Sequence, residues 1–506
     1  MCRLAGLVNY SHDKIIPMLE AQKNGGPDLS KFIQNGNVTL GHNLLAIIGH
    51  QEQPIQDDRY SMVFNGAVYN FKELYPYSTS DTVSVLDHFR IKGLKALDDF
   101  NGMFSIGLYD SIEHKLHLII DRFGQKPMYY YHDGDKFAFA SNPAALFQFQ
   151  DKWEINYDAL QSYWLLGGTM GADHLFKGIK KVCASEIVTF DLITNNVSRG
   201  KWYEPKFKDN TLGIEELVYD AIDKVKIADV PIHIFLSGGI DSTLVASRFK
   251  GGKAIHLDSP ERQYAQQVAI KYNIDMKVLN PVTFDTEQCL VDFSQVGEPC
   301  MAALVPYITA REVHKHGRVA ITANGADELF FGYDRTHDIL EDKQISHIMR
   351  ASAFNKVFRG RNEWATGRFY ELKTYVQYDL NKTLDFASMC HALEVRSPFL
   401  DHRLVEMALS IPESVHRKRG NKTILRDMLR KEGFNDHFLD RPKLGFSLHK
   451  KPNGLEFWIK HCWNWVKDNN FLKCDDSKLS GRDARYLEMS AVSFYFWHQT
   501  WKHKIK

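Results

Sequence analysis

The sequence predicts a two-domain protein, with an α+β domain over residues 1–205 and an α/β domain over residues 206–506. Three observations support this prediction. The chain has 506 residues, more than one hydrophobic core usually organises. Short β-like stretches dominate its first part, whereas longer helical periods around a few strands dominate the second. A polar, turn-rich stretch at residues 201–210 separates them as a linker.

In the first part, apolar or alternating runs bounded by turn residues indicate strands. They cover residues 4–10, 38–48, 62–69, 103–109, 115–120, 128–131 and 136–140, and a helical pattern covers residues 81–91. This order is compatible with a layered sheet sandwich.

In the second part, a short strand is predicted at residues 231–236. Helical periodicity occurs before that strand at residues 214–226 and after it at residues 243–249, 263–272, 404–409 and 423–430. The aromatic residues near the end, Phe494 to Trp497 and Trp501, indicate a packed terminal helix. The second half of this domain is therefore expected to be helical.

Bulk composition excludes several classes of protein. The 63 basic and 62 acidic residues leave a net charge of +1, which gives no electrostatic reason to expect nucleic acid or an anionic membrane as a partner. Seven cysteines without CxxC spacing argue against a disulfide framework or a zinc ribbon. No apolar run reaches membrane-spanning length, and the opening does not have the pattern of a signal peptide. A cytoplasmic protein is expected.

Cys2 follows the initiator Met1, so removal of Met1 would leave a thiol and a free α-amine on one residue. The amine has a pKa of about 7.7–8.0 and can accept the thiol proton near neutral pH. Most cysteines are simply small buried hydrophobes. Position alone therefore makes Cys2 only a candidate nucleophile. The mature protein is predicted to begin at Cys2.

A second signal lies at the end of the predicted strand at residues 231–236. Leu236 leads into Ser237-Gly238-Gly239-Ile240-Asp241-Ser242, and a helical pattern follows. Glycines permit close backbone approach to an anion, and the free N–H groups of a helix N-terminus favour its negative charge. The loop lacks the lysine of a Walker P-loop and the spacing of a dinucleotide fingerprint. A nucleotide phosphate is its expected ligand.

Further motifs occur in a fixed order along the chain. They are Gly26-Pro27-Asp28, Gly41-His42, Asn65-Gly66, Ser80-Asp81, Asp121-Arg122-Phe123-Gly124, the Ser237 loop, Gly325-Ala326-Asp327-Glu328, Leu393-Glu394-Val395-Arg396, Lys422 before Ile424, and Arg441-Pro442-Lys443. Together they resemble the glutamine-dependent asparagine synthetases over nearly the whole chain. The resemblance implies an N-terminal αββα sandwich of the N-terminal-nucleophile hydrolase type and a C-terminal ATP-pyrophosphatase synthetase domain.

The resemblance also implies two half-reactions. Cys2 would form a γ-glutamyl thioester, with Asn65 and the Gly66 N–H stabilising the oxyanion and Asp81 holding the α-amine of glutamine. Ammonia would then attack an acyl-adenylate made from ATP. Residues Leu236, Ser237, Gly238, Gly239, Asp241, Ser242 and Asp327 would bind ATP, Asp241 and Asp327 would hold Mg²⁺, and Lys443 would contact the leaving pyrophosphate. The implied partners are glutamine or ammonia, ATP and a carboxylate acceptor. Whether the chain forms a homodimer is left open.

The chain departs from the family pattern where side chains touch substrates. Leu44 replaces the arginine that binds the carboxylate of glutamine, and Ala67 replaces a glutamate. Loss of a charge-assisted bond of about 1.5–3 kcal/mol predicts weak glutamine binding unless Arg3 or Lys23 substitutes. A pocket adapted to an amide donor without a free carboxylate is the competing interpretation.

Asn324 stands where the family has an acidic residue near the adenylate, and an amide cannot accept a proton at neutral pH. Aspartate is the first-choice acceptor. Two alternatives stay open: amidation of another carboxylate, such as a sugar acid or a modified metabolite, and a catalytically weakened homologue with a binding or assembly role.

Overall fold

The computed structural model describes residues 2–208, 211–280, 284–300, 302–333, 368–369, 371–441, 454–472 and 481–506. Within these ranges the strands form two antiparallel sheets and one parallel sheet. Both antiparallel sheets are built from residues before 202, and the parallel sheet from residues after 231. The predicted change of architecture between the two parts of the chain is confirmed.

The first two sheets contain six strands each. Their strands are β1 (Arg3–Val8), β2 (Leu29–Asn35), β3 (Val38–Leu44), β4 (Ile55–Gln56), β5 (Tyr60–Val68), β6 (Gly102–Asp110), β7 (Lys115–Ile120), β8 (Tyr129–Asp133), β9 (Lys136–Ala140), β10 (Ile179–Lys181), β11 (Glu186–Asp191) and β12 (Val197–Lys201). The strand orders are β10-β8-β9-β1-β3-β2 and β12-β11-β7-β6-β5-β4.

The two antiparallel sheets pack face to face. Leu4 and Val8 of β1 share one core cluster with Val63 of β5, while Ala5 and Leu7, on the opposite face of β1, pack with an outer helix. Successive side chains of a strand point to opposite faces, so a strand covered on both sides reads as the continuous apolar run that predicted it. The resulting αββα layering confirms the expected sandwich.

The third sheet has the order β15-β14-β13-β16-β17 and is parallel throughout. Its strands are β13 (Ile232–Phe235), β14 (Lys253–Leu257), β15 (Asp275–Leu279), β16 (Val319–Ile321) and β17 (Glu394–Arg396). The predicted strand at residues 231–236 is its central strand, β13. Ligands of such sheets bind at the carboxyl ends of the strands, where the Ser237 loop follows β13.

The α-helices with described bounds lie outside or beside these sheets. They are α1 (Ile15–Glu20), α2 (Phe71–Leu74), α3 (Asp81–Lys92), α4 (Tyr157–Leu166), α5 (Ile214–Lys224), α6 (Ile240–Ser247), α7 (Arg262–Lys271), α8 (Thr286–Ser294), α9 (Leu304–His314), α10 (Ala326–Leu329), α11 (Asn381–Met389), α12 (His402–Ser410), α13 (Glu413–His416), α14 (Thr423–Lys431), α15 (Asp436–Leu439), α16 (Leu455–Asp468) and α17 (Gly481–Trp501). A π-helical segment, Leu372–Leu380, precedes α11.

Two predicted boundaries are wrong in a way that matters for function. The strand predicted at residues 38–48 ends at Leu44, and the chain then leaves the sheet. The helix predicted from residue 243 begins at Ile240, so Asp241 and Ser242 lie in its first turn. The described residues include no helix that is both long and apolar enough to cross a membrane.

Candidate active sites

Cys2 lies directly before β1 and is buried. The backbone N–H of Leu45 points at its sulfur, with 3.5 Å between Leu45 N and Cys2 Sγ. The backbone nitrogen of Cys2 donates to Asn65 Oδ1 at 3.1 Å. Burial raises the pKa of the Cys2 thiol to about 11. A proton acceptor must therefore act at the moment of attack, and the atom that would become the α-amine is the nitrogen held by Asn65.

Asn65 and Gly66 lie on β5, next to Cys2. The side chain of Asn65 is buried, and its Nδ2 lies 3.5 Å from Ser105 Oγ on β6. A Cβ at Gly66 would stand 2.1 Å from the Met103 carbonyl oxygen, so only glycine fits this approach to β6. The structure thus brings together Cys2, Asn65 and Gly66, as the motifs predict, without testing their catalytic roles.

Asp81 is the first residue of α3, directly after the N-cap Ser80. It lines one pocket together with Cys2 and Gly66. Its carboxylate accepts from the N–H of Val68 at 3.1 Å and from that of Thr82 at 2.9 Å. Burial, reinforced by the nearby Glu394 carboxylate, raises the pKa of Asp81 to about 7. Asp81 is therefore divided between its two protonation states near neutral pH.

Glu394 of β17 lines the same pocket, although it belongs to the parallel sheet. Burial alone would raise its pKa, but Arg396, whose Nε lies 2.5 Å from Glu394 Oε1, holds the pKa of Glu394 down at about 2. The C-terminal part of the chain therefore contributes a permanent negative charge to the pocket of Cys2. Sequence reasoning placed Glu394 in a motif but gave it no role here.

The two proposed replacements for the missing arginine do not lie in this pocket. Arg3 is buried and its Nη1 donates to Asp385 Oδ2 at 2.7 Å. Lys23 is exposed and pairs with Glu20. Neither lines the pocket, so the hypothesis that one of them substitutes for Leu44 is wrong.

Leu44 does line the pocket, as expected from its position in the motif. Ala67 does not: it is buried among apolar residues that include Leu45, Met103 and Met389. Alternation along β5 puts Ala67 on the same face as Asn65, and its cluster includes Leu45 and Ile47, which line the pocket. The interpretation of Ala67 as a residue facing the donor therefore stays a prediction.

The Ser237 loop connects β13 to α6. Gly238 has φ +87°, and a Cβ there would lie 2.7 Å from the backbone nitrogen of Ala265. Ser237 Oγ and Ser242 Oγ lie 2.9 Å apart, and the Gly239 N–H donates to Ser237 Oγ at 3.2 Å. Leu236 is anchored in the sheet through its N–H to the Ile255 carbonyl at 2.9 Å. This is a rigid, glycine-dependent loop at a helix N-terminus, suited to phosphate.

Asp241 and Asp327 converge on one ammonium group. Lys422 Nζ lies 2.5 Å from Asp241 Oδ2 and also contacts Asp327 Oδ1. Burial alone would lower the pKa of Lys422, but the two carboxylates raise it above its ordinary value. Lys422 itself has φ +59°, a conformation that non-glycine residues rarely adopt. Its position was quoted in a sequence motif, but its role was missed.

The carboxylates of Asp241 and Asp327 fit the donor set of Mg²⁺. Asp241 Oδ1 is buried and makes no hydrogen bond. Within the described ranges, no group of three or more His, Cys, Asp or Glu side chains could hold a metal ion by itself. Mg²⁺ is commonly bound by one or two carboxylates together with substrate phosphates, so the pair suits an ion that arrives with a nucleotide.

Gly332 makes room for this arrangement. A Cβ there would lie 1.8 Å from Asp327 Oδ1 and 2.5 Å from Lys422 Cε.

Arg441 donates to the Gly238 carbonyl and stacks over the ring of Tyr264 at 3.9 Å. Its motif is thereby tied to the Ser237 loop. Lys443 itself lies outside the described residues.

Asn324 follows β16, at the same edge of the parallel sheet. Its Oδ1 accepts from Thr322 Oγ1 at 3.0 Å. With its oxygen bonded, Asn324 has its amide nitrogen left to donate a hydrogen bond to an oxygen atom of a substrate. The amide cannot accept a proton as the acidic residue of the family could, which agrees with the sequence analysis.

Comparison with known proteins bears on both parts of the chain. The glutamine amidotransferase domain family matches residues 1–203, and the asparagine synthase family matches residues 213–470. Asparagine synthetase [glutamine-hydrolyzing] 1 of Bacillus subtilis is 26% identical, over 92% of this chain and 89% of that protein.

A second protein of that species, asparagine synthetase [glutamine-hydrolyzing] 3, is 27% identical over 91% of this chain and 89% of its own length. Among solved structures, the allosteric regulatory enzyme of purine biosynthesis matches with a TM-score of 0.30 and 10% identity, over 56% of this chain and 82% of that one, a likeness that carries no argument. With its two matched regions in this order, the chain belongs to the asparagine synthase family, with an amidotransferase domain of the glutamine type before the synthase region.

Proposed function

We propose that this protein is an ATP-dependent amidotransferase, in which residues 1–205 release ammonia from an amide and residues 206–506 join it to a carboxylate. Aspartate is the first-choice acceptor. The observation that carries the proposal is the presence in one chain of two built sites: Cys2 with Asn65 and Gly66, and the Ser237 loop with the Asp241–Lys422–Asp327 cluster.

At the first site, Cys2 Sγ would attack the carbon of the amide. Its proton would pass to the α-amine freed by Met1 removal as the C–S bond forms and the carbonyl becomes an oxyanion, and then to the leaving nitrogen as this intermediate collapses and the C–N bond breaks. The Gly66 N–H and the Asn65 amide would stabilise the oxyanion. Water would then hydrolyse the thioester, which restores the thiol and releases the acid.

At the second site, the carboxylate of the acceptor would attack the α-phosphorus of ATP and release pyrophosphate. The Ser237–Gly239 loop and the first turn of α6 would hold the phosphates through backbone N–H groups. Mg²⁺ held by Asp241 and Asp327 would neutralise charge that develops on the pyrophosphate. Lys422 keeps these two carboxylates at fixed positions, and Lys443 is proposed as the further cation for the leaving group.

The test is a screen for pyrophosphate release from ATP, Mg²⁺ and ammonium with a panel of carboxylic acids. The expected result is release that depends on aspartate and yields asparagine. Release with another acid alone would support the alternative of a sugar acid or modified metabolite, which the altered residue Asn324 favours. Absence of release with every acid, in folded protein that contains Cys2, would support the alternative of a weakened homologue.

A further inference from the structure

The donor pocket carries negative charge and no positive side chain. Asp81 and Glu394 both line it, and no lysine, arginine or histidine does so among the described residues. The rest of the wall combines the apolar side chains of Leu44, Leu45, Ile47, Ile48 and Phe64 with the uncharged polar side chains of Gln51, Gln53 and Thr82. Leu44, where the resemblance implies a carboxylate-binding arginine, is the last residue of β3, and residues 45–48 then leave the sheet.

The buried cations nearest in the fold are committed elsewhere. Arg3 Nη1 and Lys126 Nζ both bind Asp385, at 2.7 and 3.0 Å, and all three side chains are at most 2% exposed. A cation in a buried pair cannot turn toward a ligand without leaving its carboxylate uncompensated. These two side chains therefore cannot supply the missing charge.

Arg396 is a further buried arginine close to the pocket. Its Nε binds Glu394, and its Nη1 donates to the carbonyls of Val225 and Ile227 at 2.6 and 2.7 Å. Its Nη2 makes no hydrogen bond, but the side chain is fully buried and does not line the pocket. Glu394 stands between this guanidinium and the pocket. His50, beside the lining residues Gly49 and Gln51, is exposed to solvent.

We propose that the amide donor is a primary amide with an amine group and no free carboxylate, in the manner of glutamine blocked at its carboxyl group. This inference rests on the proposed reaction at Cys2. The amine of such a donor pairs with Asp81 and Glu394. Free glutamine would add a carboxylate beside Asp81 and Glu394, in a pocket where no described lysine, arginine or histidine side chain offers the opposite charge, which disfavours its binding.

The chemistry at Cys2 is unchanged by this choice. The thiolate attacks the carboxamide carbon, ammonia leaves with the proton taken from the thiol, and water cleaves the thioester to an acid. The two simplest probes are L-glutamine α-amide, which blocks the carboxylate, and γ-aminobutyramide, which lacks it. Both keep the amine and the reacting carboxamide of glutamine.

The experiment measures ammonia release by the full chain from free glutamine and from both probes. Cys2→Ala serves as the blank. The expected kcat/KM for each probe is at least about tenfold higher than for glutamine, from the value of one charge-assisted contact. Leu44→Arg should raise kcat/KM for glutamine by about ten- to a hundredfold and leave that for γ-aminobutyramide unimproved. Leu212→Arg, at an exposed leucine just after the linker at residues 201–210, should not change the preference.

Protection of Cys2 from alkylation gives a second measurement on the unaltered protein, in case Leu44→Arg does not fold. The probes should protect at lower concentration than glutamine. A preference for free glutamine in both assays would overturn the inference and leave the proposed amidotransferase intact. Failure of Cys2 to release ammonia from any of the three amides would overturn the proposed reaction at Cys2, and this inference with it.

Discussion

Arg3, the residue after the proposed nucleophile, is joined to Asp385 of α11 by an ion pair of 2.7 Å that is closed to solvent. Lys126 binds the other carboxylate oxygen of Asp385 at 3.0 Å. One carboxylate of the C-terminal part thereby pairs with two cations of the N-terminal part. Cys2 is covalently linked to Arg3, so the position of Cys2 depends on Asp385, which is 382 positions away from Arg3.

Asp385→Asn should lower the free energy of unfolding by about 3–5 kcal/mol, because it leaves two buried cations without a countercharge. Urea denaturation measures this change. Asp223→Asn, at a half-exposed carboxylate paired with Lys226 and Arg248, should cost less than about 1 kcal/mol.

The same pair also predicts a pH dependence. Burial alone would raise the pKa of Asp385, but Arg3 and Lys126 hold it below its ordinary value. The stabilisation is therefore complete above the unfolded-state pKa of about 4 and is lost as the pH falls through the folded-state pKa. Asp385→Asn should flatten this acid limb of the stability curve. Equal costs for Asp385→Asn and Asp223→Asn would contradict the assignment.

Lys422→Met should abolish pyrophosphate release while ammonia release at Cys2 persists. The substitution leaves Asp241 and Asp327 facing each other without the ammonium that separates their charges. Lys431→Met is the matched control, since Lys431, the last residue of the helix that Lys422 precedes, pairs with Glu215 at the surface. A Lys422→Met enzyme with wild-type kcat for pyrophosphate release would refute a role for this cluster.

Gly332→Ala tests the crowding at the same cluster. The new methyl group would overlap Asp327 Oδ1 and Lys422 Cε, both backed by packed structure, so we expect a loss of at least about tenfold in ATP-dependent activity. Gly200→Ala, where a Cβ meets no atom within 4 Å, should leave the activity unchanged. Steady-state kinetics of both variants, with circular dichroism to confirm folding, decides between them.

Binding of an amine-bearing donor should strengthen as the pH rises from about 6 to about 8. Asp81, with a pKa of about 7, loses its proton over this range, while Glu394 stays charged. Dissociation constants for γ-aminobutyramide should be measured in Cys2→Ala protein, which removes the thiol from the titration. Asp81→Asn should weaken binding at pH 8 and remove the slope, and a slope that persists in Asp81→Asn would assign it to another group.

Cys2→Ala should abolish amide-supported synthesis and spare ammonium-supported synthesis, whereas Asp241→Asn should remove both, because the metal that stabilises the leaving group would be lost. Product formation with each nitrogen source is the measurement. Intact mass should show that Met1 is absent from the active protein. Active protein that retains Met1 would contradict the free-amine mechanism.

The sequence predicted β1, β3, β5 to β9 and the central strand β13, whose apolar runs are continuous, but not β4, β10 to β12 or the other four strands of the parallel sheet. It missed β2, Leu29–Asn35, a largely exposed strand at the edge of its sheet with polar residues along its length. Such a strand forms because β3 offers a partner, and local pattern does not show this. The early start of α6 was missed for a related reason, since glycine in the loop hides the first helical turn.

For the candidate sites, motif residues were found but their surroundings were not. Cys2, Asn65 and Asp81 gather as expected, whereas Arg3 was misjudged because its partner Asp385 is distant in sequence. Lys422 was one basic residue among 63, and only the convergence of two carboxylates distinguishes it. Long-range electrostatic pairing decides both cases, and it cannot be read from spacing.

The position of Glu394 in the wall beside Cys2 has a consequence for protein engineering. A chimaera that fused only the two antiparallel sheets to an unrelated synthetase would have a donor pocket open on one side and stripped of one of its two charges. Its amide preference would then be set by whatever the new neighbour placed there. Transplanting the selectivity of this protein requires β17 to travel with the nucleophile.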